Sequence, residues 1–199
     1  MSLQLTAGRM AAFSDGVIAV IITVMVLDLK VPAHDLPDME GLRKVLPMLM
    51  IYALSFVEVG IYWVNHHYMV DDVEQVSHSL LWANLGFLFS LSLIPFGTAW
   101  VGERGLTPFA LSLYLVCCAL PAVSWIVLSI VVRHRTNMPL SGSPIKQAIS
   151  SVLYVGVVPV SYHSLTAAMV MLAAVAVLWL IPPKQVLEMT RARSRNLSA

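Results

Sequence analysis

An all-α, polytopic membrane protein with six transmembrane helices is the fold class that this sequence predicts, on three observations. Hydrophobic residues make up 58% of the 199 positions and charged residues only 12%, whereas an ordinary soluble domain is roughly one quarter charged. Mean hydropathy is +0.80, and a chain this short leaves too much surface exposed for so few Lys, Arg, Asp and Glu to wet. The apolar residues also fall into six runs, each close to the roughly 20 residues that a helix needs to cross a bilayer.

The first run, Met10 to Val31, contains Asp15 and lacks an Ala-x-Ala-like cleavage site, so it reads as a permanent helix and not a signal peptide. The second, Val45 to Met69, carries Glu58 midway, where a carboxyl must either be protonated in a polar contact or face a water-filled cavity. Leu80 to Val101 is the third. Thr107 to Val132, the fourth, holds Cys117 and Cys118; neighbours on a helix point about 100° apart, which makes a bridge sterically poor. Both are expected to be small hydrophobes, lipid-facing or packed, without a metal or redox role. Pro144 to Tyr162 and Leu165 to Ile181 complete the set as a tight antiparallel pair. Pro159 is expected to distort or end the fifth helix, and Pro182-Pro183 to stop the sixth. Residues 1–183 thus form one membrane domain, and 184–199 a basic cytoplasmic tail drawn to lipid headgroups.

Lys and Arg in the connections set the orientation. With the N-terminus inside, Arg9, Arg133, Arg135, Lys146, Lys184, Arg191, Arg193 and Arg195 lie in the cytoplasm, and Lys30, Arg43, Lys44 and Arg104 lie outside. The positive-inside rule therefore places both termini in the cytoplasm. A net charge of +1 without basic clusters on a polar scaffold excludes a nucleic-acid partner.

Ionisable and polar groups inside spans are costly and therefore informative. At about 100° per residue, Arg9, Phe13, Val20, Val24 and Leu27 of the first helix share one stripe, and Asp15 points well away from it. Arg9, Ser14 and Asp15 read as a structural lock whose partners would be Trp63, Asn65, His66 and Asn84, if the bundle brings them together. Proton sensing through Asp15 or a His is the alternative. His66 and His67 face different directions and belong to no His-Glu-x-x-His pattern, so no metal is expected. Nor does any nucleophile–base pair at workable spacing suggest an enzyme.

Arg9-x-x-x-Phe13-Ser14-Asp15 opening an apolar first helix resembles the hallmark of the endosomal and lysosomal potassium-channel family called transmembrane protein 175, in its bacterial branch. Trp63-Val-Asn65-His66-His67, Trp82-Ala-Asn84 and Ile94-Pro95-Phe96 follow in the expected order. The resemblance covers the first three helices; the last three match in hydropathy and spacing. It implies a homotetramer around the first helix, with a pore narrowed by hydrophobic side chains in place of a carbonyl-lined filter. Carried over from the Phe-Ser-Asp motif, the constriction positions are Val20, Val24 and Leu27, with Thr23 beside them. Val stands at two positions where Ile or Leu is common in that family, so the ring expected here is wider.

The function so implied is a potassium-permeable cation channel in the cell membrane, without a cofactor. Its partners are other copies of itself, the lipid bilayer and monovalent cations, potassium among them. A proton- or cation-coupled transporter using Asp15, Glu58 and the histidines as a relay is the alternative.

Overall fold

The structure, a computed structural model, describes residues 6–31, 37–71, 73, 75–136 and 144–180. The basic tail, His34, Pro182-Pro183 and the side chains of Arg135 and Lys146 lie outside the described residues. All regular structure among the described residues is helical: α1 (Ala7–Met25), extended by a 3₁₀ turn (Val26–Asp28), α2 (Asp38–Asp71), α3 (His78–Leu91), α4 (Ile94–Arg104), α5 (Pro108–Thr136), α6 (Pro144–His163) and α7 (Leu165–Leu180). Four stretches are long and apolar enough to cross a membrane: Ala7–Asp28, Asp38–Val70, His78–Arg104 and Pro108–His134. Two shorter apolar helices, Val152–His163 and Leu165–Trp179, stand where the last two passes are expected. The protein is therefore multi-pass, with α3 and α4 together making one pass.

Local chemistry accounts for most of the boundaries. The hydroxyls of Ser77, Thr107 and Ser164 accept hydrogen bonds from Leu80 N, Ala110 N and Ala167 N at the starts of α3, α5 and α7, each satisfying one of the orphan donors of a first turn. Gly105, at φ 76°, ends α4 in a backbone conformation that side chains with a Cβ disfavour. At 34 residues α2 is about 50 Å long, more than the hydrocarbon core requires. Its charged first turns, with Lys44 Nζ 3.9 Å from Glu40 Oε1, belong to the excess.

One expectation about a single helix needs correction and another, that Pro159 distorts or ends its helix, is narrowed. The third pass is not one continuous helix: it breaks at Ser92 and Leu93, because Pro95 has no N–H to give the Leu91 carbonyl. Pro159, by contrast, does not end α6, which runs on to His163. Pro47 and Pro121 also lie inside helices, as membrane helices tolerate when neighbours support the backbone.

The bundle has two packed centres. Ile18, Ile21 and Met25 of α1 join Val59, Phe87, Leu91 and Trp125 in one. Tyr114, Leu111, Ile51, Val157, Ala168 and Leu172 make the other, which holds α6 against α5 and α7 against α6 and α2. Between α4 and α5 the approach is close. A Cβ on Gly97 would stand 3.0 Å from Cys117 Cβ and 3.1 Å from Tyr114 Cα. Cys117 and Cys118 are free and buried, so of the two placements open to them it is packing that the fold uses.

The exposed face of the first helix and its anchor

Helix α1 has two faces of opposite character. Ile18, Ile21 and Met25 are 1%, 5% and 0% exposed, whereas Val20, Val24 and Leu27 are 59%, 43% and 77% exposed. The difference follows from helical phase: α1 packs against α2, α3 and α4 with one side and leaves the other apolar side uncovered by its own chain. Arg9, Phe13, Gly16, Ala19 and Thr23 are exposed with them. The Thr23 hydroxyl donates to the carbonyls of Ala19 and Val20, each at 3.0 Å. Its proton is thereby committed to the backbone, and its oxygen remains an acceptor on the exposed side.

The packed side is held by polar contacts as well as by apolar ones. Ser14 Oγ donates to Met10 O at 2.9 Å and accepts from Asn84 Nδ2 at 2.9 Å. Asn84 Oδ1 lies 2.7 Å from His66 Nε2. A carboxamide oxygen only accepts, so His66 presents Nε2–H here. Ser14, His66 and Asn84 are 0%, 1% and 2% exposed, and the Phe87 ring stacks on the imidazole at 5.8 Å and 9°. A second link runs from Trp63 Nε1, which donates to Asp15 Oδ1 at 2.9 Å. Three helices are therefore pinned at one level: α1 by Ser14 and Asp15, α2 by Trp63 and His66, α3 by Asn84.

The remaining residues of the expected lock go elsewhere. Asn65 Nδ2 donates to Ile61 O of its own helix at 2.7 Å, and its side chain lines a cavity on the other side of α2. Arg9 and Phe13 stand on the exposed face of α1, apart from the Ser14–Asn84–His66 chain. Sequence reasoning missed a buried hydroxyl cluster in which Ser55 Oγ is 2.8 Å from Thr98 Oγ1 and donates to the Tyr114 hydroxyl at 3.1 Å. It also missed Tyr154, which donates to Glu58 Oε1 at 3.1 Å. Glu58 signalled the need for a donor, but 96 residues separate the pair, and periodicity does not reach that far. Among the described residues no group of three or more His, Cys, Asp or Glu is placed to hold a metal ion.

Residues 9–95, from Arg9 of α1 to Pro95 of α4, match the family described as endosomal/lysosomal potassium channel TMEM175. That stretch contains the exposed face of α1 and every member of its polar anchor. A potassium channel of a Chryseobacterium species is 38% identical over 187 residues, which cover 92% of this chain and 96% of that one. The chain belongs to the TMEM175 family. A potassium channel of Streptomyces collinus is 40% identical over 99 residues, 49% of this chain and 48% of its own. The fold agrees with the sequence: the crystal structure of a lysosomal potassium-selective channel TMEM175 homolog from Chamaesiphon minutus superposes with a TM-score of 0.65 at 26% identity, over 87% of this chain and 96% of that one. TMEM175 proteins are ion channels and not enzymes, in keeping with a site that offers an apolar face and a structural polar anchor.

Proposed function

We propose that the protein is a potassium-permeable cation channel of the cell membrane, a homotetramer whose α1 helices line the pore and whose constriction is formed by Val20, Val24 and Leu27. The observation that carries this reading is the uncovered face of α1. A helix left to face lipid needs no rotational lock, yet Ser14 and Asp15 are tied to α2 and α3 on the opposite side, which fixes the direction in which Val20, Val24 and Leu27 point. Four such faces around one axis would make an apolar ring that admits or expels water according to small changes of radius. The valines make that ring wider than Ile or Leu would.

Both termini are assigned to the cytoplasm, with residues 1–183 as the channel domain and 184–199 as a basic tail at the headgroups. The channel itself needs no cofactor. Its partners are three further copies, lipid, and monovalent cations with potassium foremost.

The coupled-transporter alternative has less support, because its relay residues do not share a path. Asp15 and His66 belong to the anchor between α1, α2 and α3, whereas Glu58 meets Tyr154 of α6.

Two outcomes are expected. Mass measurement of the purified protein in mild detergent should give four copies, and a protein that stays monomeric under those conditions would refute the assembly. Thr23→Ala should lower the ratio of potassium to sodium permeability in bilayer recordings, since it removes four acceptor oxygens from the level of the ring. An unchanged ratio would assign Thr23 to helix packing alone.

A further inference from the structure

On the far side of α2 from the pore-facing helix, α2, α5, α6 and α7 enclose a cavity of about 90 Å³. None of the residues lining it comes from α1, α3 or α4. Its wall holds one carboxyl, Glu58, and five aromatic rings: Tyr62, Tyr114, Tyr154, Trp125 and Trp179. The rings are partly packed on one another, with the Tyr62 and Trp125 centroids 6.0 Å apart. The volume suffices for several waters or for one small organic molecule.

Several donors of the wall are already spent. Tyr154 spends its O–H on Glu58 Oε1 at 3.1 Å, Trp179 spends its indole N–H on Ser150 Oγ at 2.7 Å, and Asn65 directs an amide N–H to Ile61 O at 2.7 Å. Those donors are committed within the protein, while the carboxyl keeps acceptor positions and Asn65 keeps its side-chain oxygen. The ion pairs found among the described residues, Lys30–Glu103 and Lys44–Glu40, are both exposed at their sites. A carboxylate in hydrocarbon needs a counter-charge, and the faces of Tyr and Trp attract cations that have shed water. An anion would be opposed by the same carboxylate.

We propose that this cavity binds a small lipophilic ammonium ion, a primary or methylated amine on a short apolar group, with Glu58 as its counter-charge and the tyrosines and tryptophans as its cage. The amine partitions into the bilayer, sheds its water against the rings and donates to Glu58 and Asn65. The site is separate from the pore and stands whether or not α1 lines it.

The test is a fluorine NMR titration of the full-length protein in detergent with para-fluorobenzylamine and its neutral isostere para-fluorobenzyl alcohol. Saturable amine binding is expected, about tenfold or more tighter than that of the alcohol, the size of a desolvated cation–π contact plus charge pairing. Glu58→Gln should reduce the amine to the level of the alcohol, and Ala176→Phe, which fills the cavity while keeping Glu58, should abolish saturable binding of both. Leu27→Ala, on α1, should leave both affinities unchanged. Equal binding of amine and alcohol, amine binding indifferent to Glu58→Gln or Ala176→Phe, or amine binding lost in Leu27→Ala would overturn the site. The last result would place the amine in the pore. If Glu58→Gln fails to fold, the ratio of amine to alcohol and the Ala176→Phe variant decide.

Discussion

Leu27→Asn should raise cation current by about tenfold or more, the largest functional effect expected of any single substitution in this chain, because a barrier lowered by ~1.4 kcal/mol already gives a factor of ten. Leu27 is 77% exposed within one chain, the most exposed of the three apolar positions assigned to the ring. In a fourfold assembly one substitution replaces four isobutyl groups by four carboxamides at a single level, so water is retained there where it was expelled before. Val20→Asn should act in the same direction and more weakly, since a ring of valines is wider from the start. Ile21→Ala is the matched control: Ile21 is 5% exposed in the core, so its truncation should cost about 2–5 kcal/mol of stability by leaving a cavity without raising the current per channel. Bilayer recordings of the variants beside the unaltered protein, in matched potassium and sodium solutions, make the comparison. Current raised by Ile21→Ala and unmoved by Leu27→Asn would mean that the other face of α1 meets the pore.

The second large effect is expected on assembly. Asn84 is the middle of the buried chain from Ser14 to His66 and touches both. Asn84→Ala therefore strands the buried His66 imidazole N–H and takes from the Ser14 oxygen the donor it accepts from, while the Ser14 O–H stays on Met10 O. An orphaned buried group costs about 1–3 kcal/mol, and that cost together with the lost Ser14 contact is a large share of a membrane bundle's margin. The yield of intact oligomer should fall sharply, and the protein that does assemble should keep its ratio of potassium to sodium permeability. Asp15→Ala, which strands only the Trp63 indole N–H on a half-exposed side chain, should do the same to a smaller degree. Size-exclusion profiles and reversal potentials measured on the same preparations separate the two properties. A normal oligomer with altered selectivity would place Asn84 in the permeation path instead of in the anchor.

The apolar runs, the division of α1 into two faces and the polar character of its opening were legible in the sequence because each depends on a period or a composition. A residue's phase on a helix is fixed by counting, so Val20, Val24 and Leu27 share a side whatever surrounds them. The break before α4 follows from Pro95, whose missing N–H is an equally local signal, but the reading of Leu80 to Val101 as a single helix passed over it. Pro159 carried the same signal, but α6 runs past it, because the support that neighbouring helices give to a proline is not written beside it.

What α1, α2 and α3 would use to grip one another was only half legible. Asp15, Ser14, Trp63, His66 and Asn84 stood out as polar groups in apolar runs, and they do meet. Asn65, two residues from Trp63, stood out as much and turns instead to its own helix and the cavity behind α2. Tyr154 gave no sign of its pairing with Glu58. Sequence alone determined which segments enter the membrane and which residues lie on the same side of each helix, because lipid and backbone geometry impose those rules on every chain. Only the tertiary structure decided which side meets which neighbour. Lipid tails are as apolar as Leu, so hydrophobicity does not choose between them; close packing such as that at Gly97 and the few hydrogen bonds that must find partners do.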